Sequence, residues 1–215
     1  MQNSFEQRIA DFIAKRNNES YIKRKVSLSF LMLMVIGILC GIAVFDAVFR
    51  FSDYSPEYVS LHFGKALKSC VTFSDYFSEI LNASKTDIRN IFFIFIAGFT
   101  YFCYPACGII VLAKGFLGGF TVFYLVEVFK KCYFANENLL FLSFVVSRLL
   151  LSIIAIYLAM TAYVFSYKFR EIKSNSSVLR RAPITYKYIF IFIYSVGGVL
   201  LVNSVYYLFI YNILK

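Results

Sequence analysis

Residues 91–120 read IFFIFIAGFTYFCYPACGIIVLAKGFLGGF, with Lys114 as the one charged side chain among them. A helix advances about 1.5 Å per residue and the hydrocarbon core of a bilayer is about 30 Å thick, so roughly 20 apolar residues cross it. Residues 91–113 suffice for one crossing. Lys114-Gly115 can then turn the chain at a membrane surface, and residues 115–134 can return, with Lys130 and Lys131 snorkelling toward the far interface. Outward from this hairpin lie three more apolar runs. Residues 26–49 carry only Asp46, residues 139–167 only Arg148, and residues 188–214 no charge at all. The first run is too long for a cleaved signal peptide and is read as an uncleaved span. The expected fold is an all-α integral membrane protein with five transmembrane helices.

Composition leads to the same place. Of the 215 residues 60% are hydrophobic, 20% aromatic and 16% charged, and the mean hydropathy is +0.70. Soluble chains carry about 25% charged and about 45–50% apolar residues, and a chain this short cannot bury such a surplus in its own core. Enzyme chemistry is thinly supplied. His62 is the sole histidine, and no acid or cysteine is placed by motif to work with it. The cysteines lack zinc-type spacing, and Cys40, Cys103 and Cys107 lie in apolar runs, where packed thiols are expected. Neither catalysis nor a metal or other cofactor is expected. Cys70 and Cys132 fall on the outer side and are expected to remain unpaired.

The formal charge of +10 reflects topology, and no nucleic-acid partner is expected. The tail 1–25 has six basic residues (Arg8, Lys15, Arg16, Lys23, Arg24, Lys25) against three acids. The loop 168–187 has six against Glu171 alone, whereas the loop 50–90 balances five against five. Five spans put the tail, the 168–187 loop and the Lys114 turn on one side. The N-terminus is therefore expected in the cytoplasm and the C-terminus outside.

Two segments outside the spans have helical patterning. In the tail, Phe5, Ile9, Phe12 and Ile13 share a face among basic residues, which fits a helix on the anionic inner surface or one packed on the protein's own cytoplasmic face. In the outer loop, Ser55-Pro56-Glu57 is a helix start, followed by an apolar stripe of Val59, Phe63, Ala66, Leu67 and Cys70. A second short helix, opened by Thr72 or Ser74, presents Phe73, Phe77, Ile80 and Leu81. Both are expected to rest on the membrane or the bundle. Asn82-Ala83-Ser84 matches a glycosylation sequon, meaningful only in a secretory pathway.

Within the hairpin, Pro105 removes a backbone donor and predicts a bend in mid-span. Gly115 and Gly119 form a GxxxG face with Gly118 beside it, and Gly37 and Gly41 repeat the device in the first span, so close helix–helix approach is expected at both. Gly98-Phe99-Thr100, then Pro105, then Lys114-Gly115-Phe116 and Gly119-Phe120, together with the five-span layout, cytoplasmic tail and large first outer loop, resemble the stage II sporulation protein M family. The resemblance covers most of the chain loosely and residues 98–120 more specifically. It implies a bacterial plasma-membrane scaffold that anchors peptidoglycan-degrading partners, the family's sporulation proteins D and P, during engulfment, without being a hydrolase itself.

Charges within the spans are costly and demand partners. Glu127 and Arg148 fall at comparable depth on helices joined by a short outer turn, so they are expected to pair across it. The competing functional class is a transporter, permease or channel subunit, for which Pro105, Glu127, Arg148 and Asn203 are the polar or helix-breaking candidates. The lipid bilayer, other membrane or cell-wall proteins, and further copies of the chain are the partners in view.

Overall fold

The computed structural model describes residues 2–51, 73–131, 137–174 and 181–214, and all of these outside a turn at 98–102 are α-helical. Five helices result: α1 (Gln2–Phe51), α2 (Phe73–Ala97), α3 (Cys103–Lys131), α4 (Glu137–Ser174) and α5 (Arg181–Leu214). Four contain segments long and apolar enough to cross a membrane: Ser20–Val48, Cys103–Val126, Phe141–Arg170 and Pro183–Phe209. Their outward side chains, among them Ile109, Ile153 and Leu201, are exposed and apolar, as lipid contact requires. The protein is thus all-helical, with the composition of a multi-pass membrane protein.

Successive helices alternate in direction. Phe30 and Phe45 of α1 meet Tyr104 and Phe120 of α3 in the same order along both chains, so α1 and α3 run parallel. Phe144 of α4 meets Tyr206 of α5, and Phe165 meets Tyr188, so that pair is antiparallel. α2 runs antiparallel to α5, with Ser84 at Asn203 and Phe95 at Tyr188. The most extensive interface joins α1 to α3, and glycine makes it possible. A Cβ on Gly37 or Gly41 would collide with the backbone of Leu112, Phe116 and Phe120, and one on Gly115 or Gly119 with the backbone of Met34 and Ile38. The two GxxxG faces expected from sequence therefore pack on each other, backbone against backbone. Gly118 takes no part, since a Cβ there would meet open space.

The hairpin differs from the sequence expectation in its register. Residues 103–131 form one helix through Lys114-Gly115, and the turn lies at 98–102. Hydropathy cannot see this turn, because residues 91–113 are apolar without interruption. Hydrogen bonds make it: the Thr100 amide and hydroxyl both donate to the Ala97 carbonyl, at 2.9 and 2.8 Å. Pro105 consequently stands in the first turn of α3, where its missing N–H has no intrahelical acceptor to lose, and the expected mid-span bend has no cause. The second short helix of the outer loop and the apolar run 91–97 are likewise one helix, α2, so residues 73–90 are not a separate loop. The tail continues α1 from Gln2 without a break in place of a separate surface helix, although the side chains before residue 20 are outside those described. The Ser55–Cys70 stripe, His62, Cys70 and Cys132 also lie outside the described residues, as does the side chain of Glu127.

The end of the bundle that holds Arg170 and Tyr188 is tied to the 98–102 turn. Arg170 of α4 donates to the carbonyls of Thr100 and Tyr101, both at 3.0 Å, and lies over the Tyr101 ring. Ser166 donates to the Thr100 carbonyl at 3.0 Å. The Tyr188 hydroxyl donates to the Phe95 carbonyl at 3.0 Å, and its buried ring stacks on Phe165 with centroids 4.2 Å apart. Carbonyls of the turn and of the last residues of α2 thereby find side-chain donors from α4 and α5.

Candidate functional site at the centre of the bundle

α2 builds the site through the spacing of its side chains. Ile80, Ser84, Asp87, Ile91 and Ile94 are buried and recur at helical spacing, so one stripe of α2 faces the bundle and carries two polar groups within it. Asn203 of α5 donates from its Nδ2 to the Ser84 Oγ at 3.0 Å. The Asp87 carboxylate accepts a hydrogen bond from Lys114 of α3. Its other oxygen lies 3.7 Å from a guanidinium nitrogen of Arg148 on α4. Asp87 and Lys114 are 6% and 12% exposed at the side chain, whereas Arg148 is 44% exposed and also lies over the Phe144 ring. Lys114 stands at the middle of the apolar segment Cys103–Val126, which sets the level of the whole cluster.

Lys114 is therefore a buried partner inside the bundle, contrary to its expected position at the inner interface. Its charge is acceptable there because Asp87 supplies the counter-charge from the neighbouring antiparallel helix. Two cations share one carboxylate, so the cluster keeps one net positive charge. Of the polar residues expected from sequence, Arg148 and Asn203 join this cluster, and Pro105 stands apart at the start of α3. Glu127, the expected partner of Arg148, has no described side chain, and the described partner of Arg148 is Asp87. Asp87, Lys114 and Ser84 escaped the sequence reading. The available signal was Ser84 and Asp87 falling on the same helical stripe as Ile80, Ile91 and Ile94.

The opposite face of α2 is as informative. Asn82, Lys85, Thr86 and Arg89 are exposed, and neither Lys85 nor Arg89 has an ion-pair partner among the described residues. Both lie within two residues of Asp87, which puts them about 3 Å along the helix from the mid-span level. A shallow groove lined by Leu81, Asn82, Lys85, Ile88, Arg89, Phe92 and Phe192 runs along this face beside α5. Among the described residues no group of three or more His, Cys, Asp or Glu could hold a metal. Cys103 and Cys107, both buried, face each other one helical turn apart at 3.9 Å and pack in the core, as expected for small apolar side chains, whereas Cys40, expected to pack likewise, is exposed on the outward face of α1. No family model, curated protein or solved structure matches the chain.

Proposed function

We propose that this chain is a non-catalytic membrane scaffold that acts by lateral contact with other membrane proteins. The observation that carries this reading is the pair of cationic side chains, Lys85 and Arg89, presented outward with Asn82 and Thr86 at the mid-span level of the bundle. Lipid tails cannot solvate them, so a polar partner must. In this reading α2 is the fifth span, packed between α3, α4 and α5 in the shelter of their apolar segments. The N-terminus lies in the cytoplasm with the basic residues around Arg24 and Arg170, and the C-terminus lies outside. The resemblance to the stage II sporulation protein M family makes the bacterial plasma membrane the site and peptidoglycan hydrolases the partners. Purification from native membranes, followed by identification of co-purifying proteins, tests this: wall hydrolases support the scaffold.

A second reading, a transporter, permease or channel subunit, draws on the Asp87–Lys114–Arg148 cluster, because mid-span ion clusters also form solute and proton paths. Recovery of a cytoplasmic ATPase in the same purification, or solute flux in proteoliposomes abolished by Asp87→Asn, would favour it over the scaffold.

A further inference from the structure

The outward face of α2 carries a polar stretch at the level of Asp87. From Asn82 to Arg89 that face carries Asn82, Lys85, Thr86 and Arg89, and beyond it come the apolar Phe92, Phe93 and Ile96. Lys85 and Arg89 are separated by four residues and therefore project one above the other. The nearest interface lies about 15 Å away, half the thickness of the hydrocarbon core. The stem of a lysine or arginine covers less than half that distance, so snorkelling does not bring these charges to water. The bundle's own counter-charge at this level, Asp87, faces inward and already serves Lys114 and Arg148.

We infer that Lys85 and Arg89 dock a transmembrane helix of a different protein, one that carries a carboxylate at mid-span. This rests on the scaffold reading and gives the partner its chemistry. Charge decides between the occupants available. A second copy in the same membrane orientation, related by an axis normal to the bilayer, sets Lys85 beside Lys85 at one depth, which adds repulsion where relief is needed. A helix bearing Asp or Glu, with its apolar residues against Leu81 and Phe92 in the groove, neutralises both cations and seals the groove from lipid.

The test uses the full chain in native membranes, with the photoreactive residue p-benzoylphenylalanine replacing Phe92 on the groove and, as a control, Ile109 on the lipid-facing side of α3. The expected result is a Phe92-specific adduct with a protein whose crosslinked span contains Asp or Glu, absent from the Ile109 variant. Lys85→Leu with Arg89→Leu should leave the chain abundant and lower the recovered partner by about tenfold or more. Lys85→Glu with Arg89→Glu should also release the partner, and replacing the partner's carboxylate by lysine should restore the complex. Adducts with a second copy, or with phospholipid alone, overturn the inference, as does a partner retained by the double leucine variant. The scaffold reading fails separately: it falls if neither photoreactive variant crosslinks to another protein and none co-purifies with the wild-type chain.

Discussion

Asp87 is held by cations from two different helices, and its loss should be felt most by Lys114. A buried pair is worth little in net terms against an apolar replacement, but removing one partner strands the other at a cost of about 3–5 kcal/mol. Asp87→Asn should therefore lower the thermal midpoint in detergent clearly, and adding Lys114→Met should recover most of the loss. Arg148→Met should cost less than either, because its side chain is nearly half exposed and has Phe144 as a second support. Equal losses for Arg148→Met and Asp87→Asn would mean that Arg148, not Lys114, is the main partner. Tyr188 allows a cleaner separation of packing from hydrogen bonding. Tyr188→Phe keeps the stack on Phe165 and removes one of the two donors to the Phe95 carbonyl, leaving the Gly98 amide at 3.2 Å, a cost of about 0.5–1.5 kcal/mol. Tyr188→Ala removes the ring as well and should cost about 3–5 kcal/mol. Chemical or thermal unfolding of the purified protein measures both.

Between helices, glycine decides what can touch. Gly115→Leu forces its side chain into the Met34 backbone and must push α1 off α3, so the variant should fail to accumulate or unfold at much lower temperature. Gly118→Leu, one turn away with open space around it, should be tolerated, and Gly118→Ala should gain up to about 1 kcal/mol of helix propensity. Similar losses at the two positions would contradict the packing of α1 on α3. The pairs Gly37/Gly41 and Gly115/Gly119 could be read from sequence because GxxxG spacing states its geometry locally, whereas Gly118, expected beside them, faces open space. The turn could not. A charged residue followed by glycine in an apolar run has the appearance of a membrane surface, and only the three-dimensional neighbour of Lys114 explains why it can sit at mid-span. Asp87 lies 27 positions earlier, in a stretch that reads as a water-facing loop because Lys85, Asp87 and Arg89 crowd together there. What was legible was length and apolarity, which located three of the four long apolar helices, α1, α4 and α5, while α3 was split at Lys114. What was hidden was the pairing of charges between helices, and with it both the register of the hairpin and the site.

For the molecule as a whole, the alternation of five helices makes a demanding prediction about which ends share a side of the membrane. Residues near Arg24, the 98–102 turn, Arg170 and Lys187 gather at one end of the bundle, and Val48, Phe77, Val126 and Phe209 at the other, as the antiparallel contacts require. The first end is the more basic, so the positive-inside rule assigns it to the cytoplasm. A shift of the turn from residue 114 to residues 98–102 leaves this assignment intact, because both versions put one reversal between the second and third helices. In a cysteine-free background, a membrane-impermeant thiol reagent applied to intact cells should label Lys215→Cys, and should label Tyr101→Cys only after permeabilisation. Tyr101 is a useful position because it is exposed at the turn and 69% accessible. If α2 lay on the membrane surface instead of crossing it, the chain would cross four times. Lys215 would then share a side with the tail, and its label would appear only after permeabilisation. The charge of α2 makes that alternative worth testing, since Lys85, Asp87 and Arg89 keep it from qualifying as a span by composition. Its packing argues against a surface position: a surface helix could not place Asp87 on Lys114 at the centre of α3 and also carry its end to Tyr188 and Arg170. External labelling of Lys215→Cys would therefore mean that a polar-faced helix crosses the membrane, the condition on which a partner for Lys85 and Arg89 depends.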